Sequence, residues 1–102
     1  MNDVATEIMR QIKEIDPWAL DAWGAAYQPK IKITKDGEVV GVRLKSSGMC
    51  TWKGFIEVIY NYGADSYTVT FFKMRKHKKF VKEVASDIYA DMLVSTIDGV
   101  VQ

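Results

Sequence analysis

The stretch FIEVIYNYGADSYTVTFFKM, residues 55–74, decides the fold. Large apolar residues alternate with other residues in both halves of the stretch, and Gly63-Ala64-Asp65-Ser66 supplies turn-forming residues between them. Such alternation in β-branched and aromatic residues is typical of half-buried strands. A loop of two or four residues places the whole apolar set on one face, so the stretch predicts a β-hairpin. The predicted pairs are Tyr62 with Tyr67, Tyr60 with Val69, and Val58 with Phe71.

The segment before this hairpin predicts two helices. Val4, Ile8 and Ile12 recur at helical spacing, which indicates an amphipathic helix over residues 3–15. Asp16-Pro17 ends that helix, because Pro disfavours the α conformation in the residue before it. The same pair is suited to begin a short second helix, from about residue 17 to residue 26.

A second hairpin is predicted between these helices and the central stretch. Asp36-Gly37 lies between two alternating runs, and this dipeptide is among the strongest short-range hairpin signals. A two-residue turn pairs Ile33 with Val40 and Ile31 with Val42, and it places Lys35 opposite Glu38.

After Met74 the apolar spacing changes from 2 to 3.6 residues, which predicts a closing helix over residues 78–97. The predicted fold class is therefore α+β: a four-stranded antiparallel meander with two N-terminal helices and one C-terminal helix, in the order ααββββα. At 102 residues, with 48% apolar and 26% charged residues, the chain predicts a single domain over residues 1–102.

Positive charge is concentrated in one segment. The net charge is only +1, yet residues 73–82 carry six cations and one histidine, so the other residues sum to −5. In a closing helix, three of these cations would lie in the first turns, where the helix dipole disfavours positive charge. This placement indicates a functional role for them. We expect a partner-binding surface formed by these cations and by apolar residues on the face opposite the core of the hairpin: Lys73, Arg75, Lys76, Lys78, Lys79, Lys82, Phe55, Ile59 and Phe72.

Three interpretations of this surface stay open. Cations beside exposed aromatic rings suit phosphate contacts and base stacking, as in nucleic-acid binding. The same charges suit an acidic protein surface. They also suit a solvated edge, with Phe72 covered by a helix. If Phe55, Ile59 and Phe72 are exposed together, self-association becomes a further expectation.

Catalytic and metal-binding signals are weak. Cys50 and His77 are the only residues of their kinds, and nothing in the sequence brings them together as a nucleophile and base. Glu83, Asp87 and Asp91 would form one stripe of the predicted helix, which we interpret as a solvated face. We therefore expect no enzyme activity, no cofactor and no metal.

Three segments resemble a family of short uncharacterised proteins of tailed bacteriophages and prophages. The segments are Ala22-Trp23-Gly24-Ala25, residues 65–75 of DxYxVxFxKxR type, and Asp87-Ile88-Tyr89 with Leu93. The resemblance implies a phage or mobile-element protein in a bacterial cytoplasm. On this basis the expected function is non-enzymatic binding, as a modulator or inhibitor of a host or defence protein of the anti-CRISPR kind. The alternative is nucleic-acid binding through the same surface.

Overall fold

Five antiparallel strands form one sheet, in which spatial order follows chain order. The computed structural model describes residues 3–48 and 50–102. Strands β1 to β5 are Ile31–Lys35, Glu38–Lys45, Phe55–Asn61, Ser66–Arg75 and Lys78–Ile88. The predicted four-stranded meander is therefore wrong, because the segment expected to begin the closing helix is instead a fifth strand.

The helices come from the two ends of the described chain. α1 is Val4–Ile15, α2 is Ala19–Ala22, a 3₁₀ turn covers Ala90–Met92, and α3 is Leu93–Val101. Asp3 caps α1 by accepting a hydrogen bond of 2.8 Å from the Thr6 N–H. α2 is shorter than expected, since the chain leaves helical conformation at Gly24, whose φ is 68°. Over residues 3–48 and 50–102, no helix is both long enough and apolar enough to cross a membrane.

The helices cover one face of the sheet, which we call the helix face; the opposite face is the open face. Side chains from α1, α3 and the central strands form one buried cluster on the helix face. Trp23 is fully buried in this cluster, and its indole N–H donates to Asp98 Oδ1 of α3 over 2.5 Å. The sheet and both terminal segments therefore depend on a shared apolar layer.

The central hairpin has the predicted faces but not the predicted pairs. Its turn contains four residues, 62–65, and pairs Tyr60 with Tyr67 and Val58 with Val69. Tyr62 lies in the turn and is 58% exposed, so every predicted partner is displaced by two residues. Because the displacement is even, the apolar set stays on the helix face.

A bulge changes the first hairpin. Asp36 and Gly37 form the predicted turn with φ of 53° and 82°, and Lys35 pairs with Glu38. The register then shifts between Ile33 and Thr34, because β2 contains one extra residue there. Ile33 therefore pairs with Gly41, and not with Val40 as predicted.

Beyond that bulge the faces of β1 are the reverse of the prediction. Ile31 pairs with Arg43, which places Ile31 and Ile33 on the open face. Lys32 pairs with Val42 and lies on the helix face, where its ammonium group forms an ion pair with Asp3.

Two irregularities in β5 explain why its sequence resembles a helix. The β4–β5 register shifts between Phe71 and Phe72 and again between Tyr67 and Val69, and each shift adds one residue to β5. Each added residue interrupts the alternation with a period of two. The resulting apolar spacing in Phe80, Val81, Val84 and Ile88 fits a helix as well as a doubly bulged strand.

We predict a large loss of stability for one phenylalanine of the β4–β5 hairpin and a small loss for another. Phe71 is fully buried, whereas Phe80 is 53% exposed. Phe71→Ala should reduce the free energy of unfolding by about 3–5 kcal/mol through cavity formation. Phe80→Ala should cost less than about 1 kcal/mol, as expected on an exposed strand. Urea unfolding of both variants measures this; equal losses would contradict the strand assignment of residues 78–88.

We also predict an acid-sensitive contact at the start of α1. A hydrogen bond from Lys32, and then one from the Thr6 N–H, lower the pKa of Asp3 from 3.8 to about 2. Because the folded pKa is the lower one, Asp3 stabilises the fold above pH 3.8, and this contribution is lost as the pH falls through about 2. The stability difference between parent and Asp3→Asn should therefore shrink on acidification. Urea unfolding at neutral and acidic pH measures this difference. The stability difference between the parent and Lys32→Met should also shrink at acidic pH.

Candidate functional site

The predicted basic run forms the tip of a projecting β-hairpin. β4 ends at Arg75 and β5 begins at Lys78, so Lys76 and His77 are the two turn residues. Both have positive φ, 49° and 65°, which corresponds to a type I′ turn. The expectation that these lysines oppose a helix dipole is wrong, because no helix is present there.

The tip extends past the neighbouring strand. β3 begins at Phe55, which pairs with Phe72, so the part of the hairpin from Lys73 to Phe80 has no β3 partner. The loop that joins β2 to β3 ends beside this part, where Trp52 lies near Lys73. The loop and the tip therefore share one end of the molecule.

On the open face, cations cover Phe72. This ring is only 1% exposed, although no helix of residues 3–48 and 50–102 covers the open face. It stacks on Phe55 with centroids 5.4 Å apart, and Lys79 Nζ lies 4.3 Å from its centroid. Glu57 holds both covering cations, Arg43 at 2.7 Å and Lys79 at 3.6 Å. Phe72 and Lys79 are therefore structural members of the open face rather than freely exposed binding residues.

The structure separates Ile59 from the other predicted site residues. Ile59 pairs with Gly41 and Thr68, four residues along β3 from Phe55. At about 3.3 Å per residue, that separation is roughly 13 Å. The patch of Phe55, Ile59 and Phe72 expected from the sequence is therefore discontinuous, with one ring buried and Ile59 remote from the tip.

Two clefts flank the tip and share Lys73 and Arg75. The first, which we call the tip cleft, has a volume of about 340 Å³. The second has a volume of about 250 Å³ and runs along the β2–β3 loop. Among the described residues, no carboxylate lines either cleft. The tip cleft is lined by Trp52, Lys73, Arg75, Phe80, Val81 and Lys82, and the second by Lys45, Ser46, Lys53, Gly54, Phe55, Lys73, Met74 and Arg75.

Together these elements form what we call the basic end, with eight of the chain's 14 cations. Within residues 3–48 and 50–102, Lys79 is the only one of the eight in an ion pair. The set consists of Lys45, Lys53, Lys73, Arg75, Lys76, Lys78, Lys79 and Lys82. Six of these were predicted as site residues, and the structure brings them together with two cations from β2 and the β2–β3 loop.

The sequence-based site omitted Trp52 and Phe80. Phe80 lies in residues 78–97, which the sequence predicts as a closing helix, but in the structure it belongs to strand β5. Trp52 packs against the core, where its ring meets Phe71 edge to face at 5.9 Å. The sequence around residues 52–53 does not predict that this loop lies beside the cations of β4, because that contact depends on the fold.

The remaining chemical candidates lie apart. Cys50 is buried, with its Sγ 3.0 Å from the Ser47 carbonyl oxygen, whereas His77 is exposed in the tip turn. Glu83 and Asp87 lie on β5 and Asp91 lies in the 3₁₀ turn, so the predicted helical stripe of carboxylates does not form. In the part of the chain that the structure describes, no group of three or more His, Cys, Asp or Glu residues could hold a metal ion.

The Trp23-Gly24 segment has a structural role. A Cβ atom on Gly24 would lie 2.0 Å from the carbonyl oxygen of Ser47, so only glycine allows this approach. The Ser47 N–H donates to the Trp23 carbonyl oxygen over 3.0 Å. These contacts join the region after α2 to the β2–β3 loop and so help position the loop at the basic end.

We predict that the tip turn is strained relative to the Asp36-Gly37 turn. A residue other than glycine in the left-handed region costs roughly 1–2 kcal/mol. His77→Gly should therefore raise the free energy of unfolding by up to about 1 kcal/mol. Gly37→Ala is the control in the other turn, where it places a residue other than glycine at positive φ. The added Cβ would meet nothing within 4 Å, so any loss of stability is due to the φ of 82°. Thermal unfolding measures both, and a destabilising His77→Gly would contradict the assigned turn.

Comparison with models of known protein families, with curated proteins and with solved structures finds no match to this chain.

Proposed function

We propose that this protein is a non-enzymatic binding protein whose basic end binds the phosphates of nucleic acid. The observation that carries the proposal is that three segments, the end of β2, the β2–β3 loop and the β4–β5 tip, meet at two clefts. No carboxylate is among the described residues that line these clefts. Unpaired cations grouped on one surface attract polyanions and release their condensed counterions on binding.

The composition of the basic end favours nucleic acid over protein. Seven of its eight cations are lysines. Lysine is depleted in protein–protein interfaces, whereas interfaces with nucleic acid are much more positively charged. The compact charge of lysine is suited to phosphate contacts that need no fixed geometry.

The second candidate function is binding of an acidic surface on a host or defence protein. The exposed edge of β5 favours it, because Phe80, Val81 and Val84 are each more than half exposed beside the lysines of the same strand. An edge strand can accept an extended strand from a partner. The same lysines and bulges also protect edges against such pairing, so this candidate stands second.

A biological setting is proposed together with the second candidate function. A phage or mobile-element origin, an inhibitory role of the anti-CRISPR kind and a bacterial cytoplasm are supported by the sequence resemblance to phage proteins. Self-association is a further proposal, with the exposed edge of β5 in place of the patch of Phe55, Ile59 and Phe72 expected from the sequence.

The experiment is direct binding of DNA and RNA at several salt concentrations. A protein that neutralises Z phosphates loses affinity with a log–log slope of about −0.9Z on duplex DNA and about −0.7Z on single strands. With four or more cations engaged, we expect a slope of about −3 or steeper. A slope near zero, or no binding at low salt, would contradict the proposal.

Charge reversal tests the location. Arg75→Glu/Lys78→Glu changes one cross-strand pair at the tip, and Lys13→Glu/Lys35→Glu makes the same change in net charge away from it. The tip variant should lose at least tenfold in affinity and show a shallower slope, while the control variant should change little. Equal losses would mean that net charge alone governs binding. If only a nuclease-resistant protein complex is recovered from bacterial lysate, the second candidate replaces the first.

A further inference from the structure

We propose that the tip cleft binds an unpaired base of a single-stranded nucleic acid, with the Phe80 ring as the stacking platform. This inference rests on the proposed function and adds a strand preference to it. The phosphates on either side of the base would contact Lys73, Arg75 and Lys82, which line the same cleft.

Phe80 is the ring in the cleft that remains available for stacking. It is 53% exposed on the edge strand, directly opposite Lys73. Trp52 is already engaged: its ring meets Phe71 edge to face at 5.9 Å, and Lys73 Nζ lies 5.9 Å from its centroid. Trp52 therefore forms a wall of the cleft, whereas the Phe80 ring lines the same cleft without an aromatic or cation partner among the described residues.

The size of the cleft suits one flat base, and its charge suits the phosphates on either side of that base. Its volume of about 340 Å³ is near the lower limit of small-ligand pockets. Three cations and no carboxylate line it among the described residues, so phosphate on either side of a base meets favourable charge. Bases in a duplex are stacked inside the helix and cannot enter, whereas single strands offer their π-faces to aromatic side chains.

The experiment compares three probes by fluorescence anisotropy at low salt: an oligothymidylate strand, an abasic strand of equal length, and a duplex. We expect the parent protein to bind oligothymidylate about tenfold or more tightly than the abasic strand, since one base stacked on an aromatic ring contributes that much affinity. Thymidine monophosphate should compete far more weakly than the strand, because it lacks the neighbouring phosphates.

Phe80 variants assign the preference to the ring. Phe80→Leu keeps apolar volume but removes the π-face, so it should bind oligothymidylate and the abasic strand equally. Phe80→Trp should keep the preference. Binding of the abasic strand and the duplex should change less than about threefold in either variant, since the cations remain. Tyr62→Ala removes an aromatic ring that is 58% exposed at the opposite end of the sheet and serves as the matched control.

The outcomes separate this inference from the proposed function. If the parent protein binds oligothymidylate and the abasic strand equally, or if Phe80→Leu keeps the preference, the base-stacking site is refuted while phosphate binding stands. If thymidine monophosphate competes as well as the strand, the cleft is a nucleotide site and the strand proposal is refuted. If none of the three probes binds, both proposals fail.

Discussion

The alternation of side chains along β3 and β4 determines how the rest of this structure is stabilised. Val58, Val69 and Phe71 all point to one face, and the helices from both ends of the described chain pack there. The chain has no third layer for the open face within residues 3–48 and 50–102. The rings on that face are therefore covered by other means: the stems and charges of Arg43 and Lys79 lie over Phe72, and Glu57 holds both cations in position.

Features set by neighbouring residues could be predicted from the sequence. The Asp36-Gly37 turn, α1 and the buried face of the central hairpin each follow from patterns within about ten residues. Features that depend on one extra residue in a strand could not be predicted from the sequence. A bulge at β2 reverses the faces of β1, and two register shifts give β5 the apolar spacing of a helix. Periodicity alone does not separate a bulged strand from an amphipathic helix.

The candidate site shows the same division. The six clustered cations are visible in the sequence because they lie within ten residues of one another. Their neighbours are not, since Lys45, Lys53 and Trp52 reach the tip only through the fold. The exposure of individual side chains was equally hidden: Phe72 is covered by cations from β2 and β5, and Phe80 is exposed because residues 78–88 form an edge strand.

Eight of the chain's 14 cations lie at one end of the strands, so the charge of this protein is uneven along them. The eight cations of the basic end are opposed by a charge of −7 on the rest of the chain, which leaves the net charge of +1. The molecule extends 33 Å along its longest axis, whereas ions screen charges over about 8 Å at physiological salt. A molecule that approaches the tip therefore experiences the positive charge of the basic end, rather than the near-neutral net charge of the chain. At lower ionic strength this uneven charge would also turn the protein in the field of a polyanion, so that the tip faces it before contact.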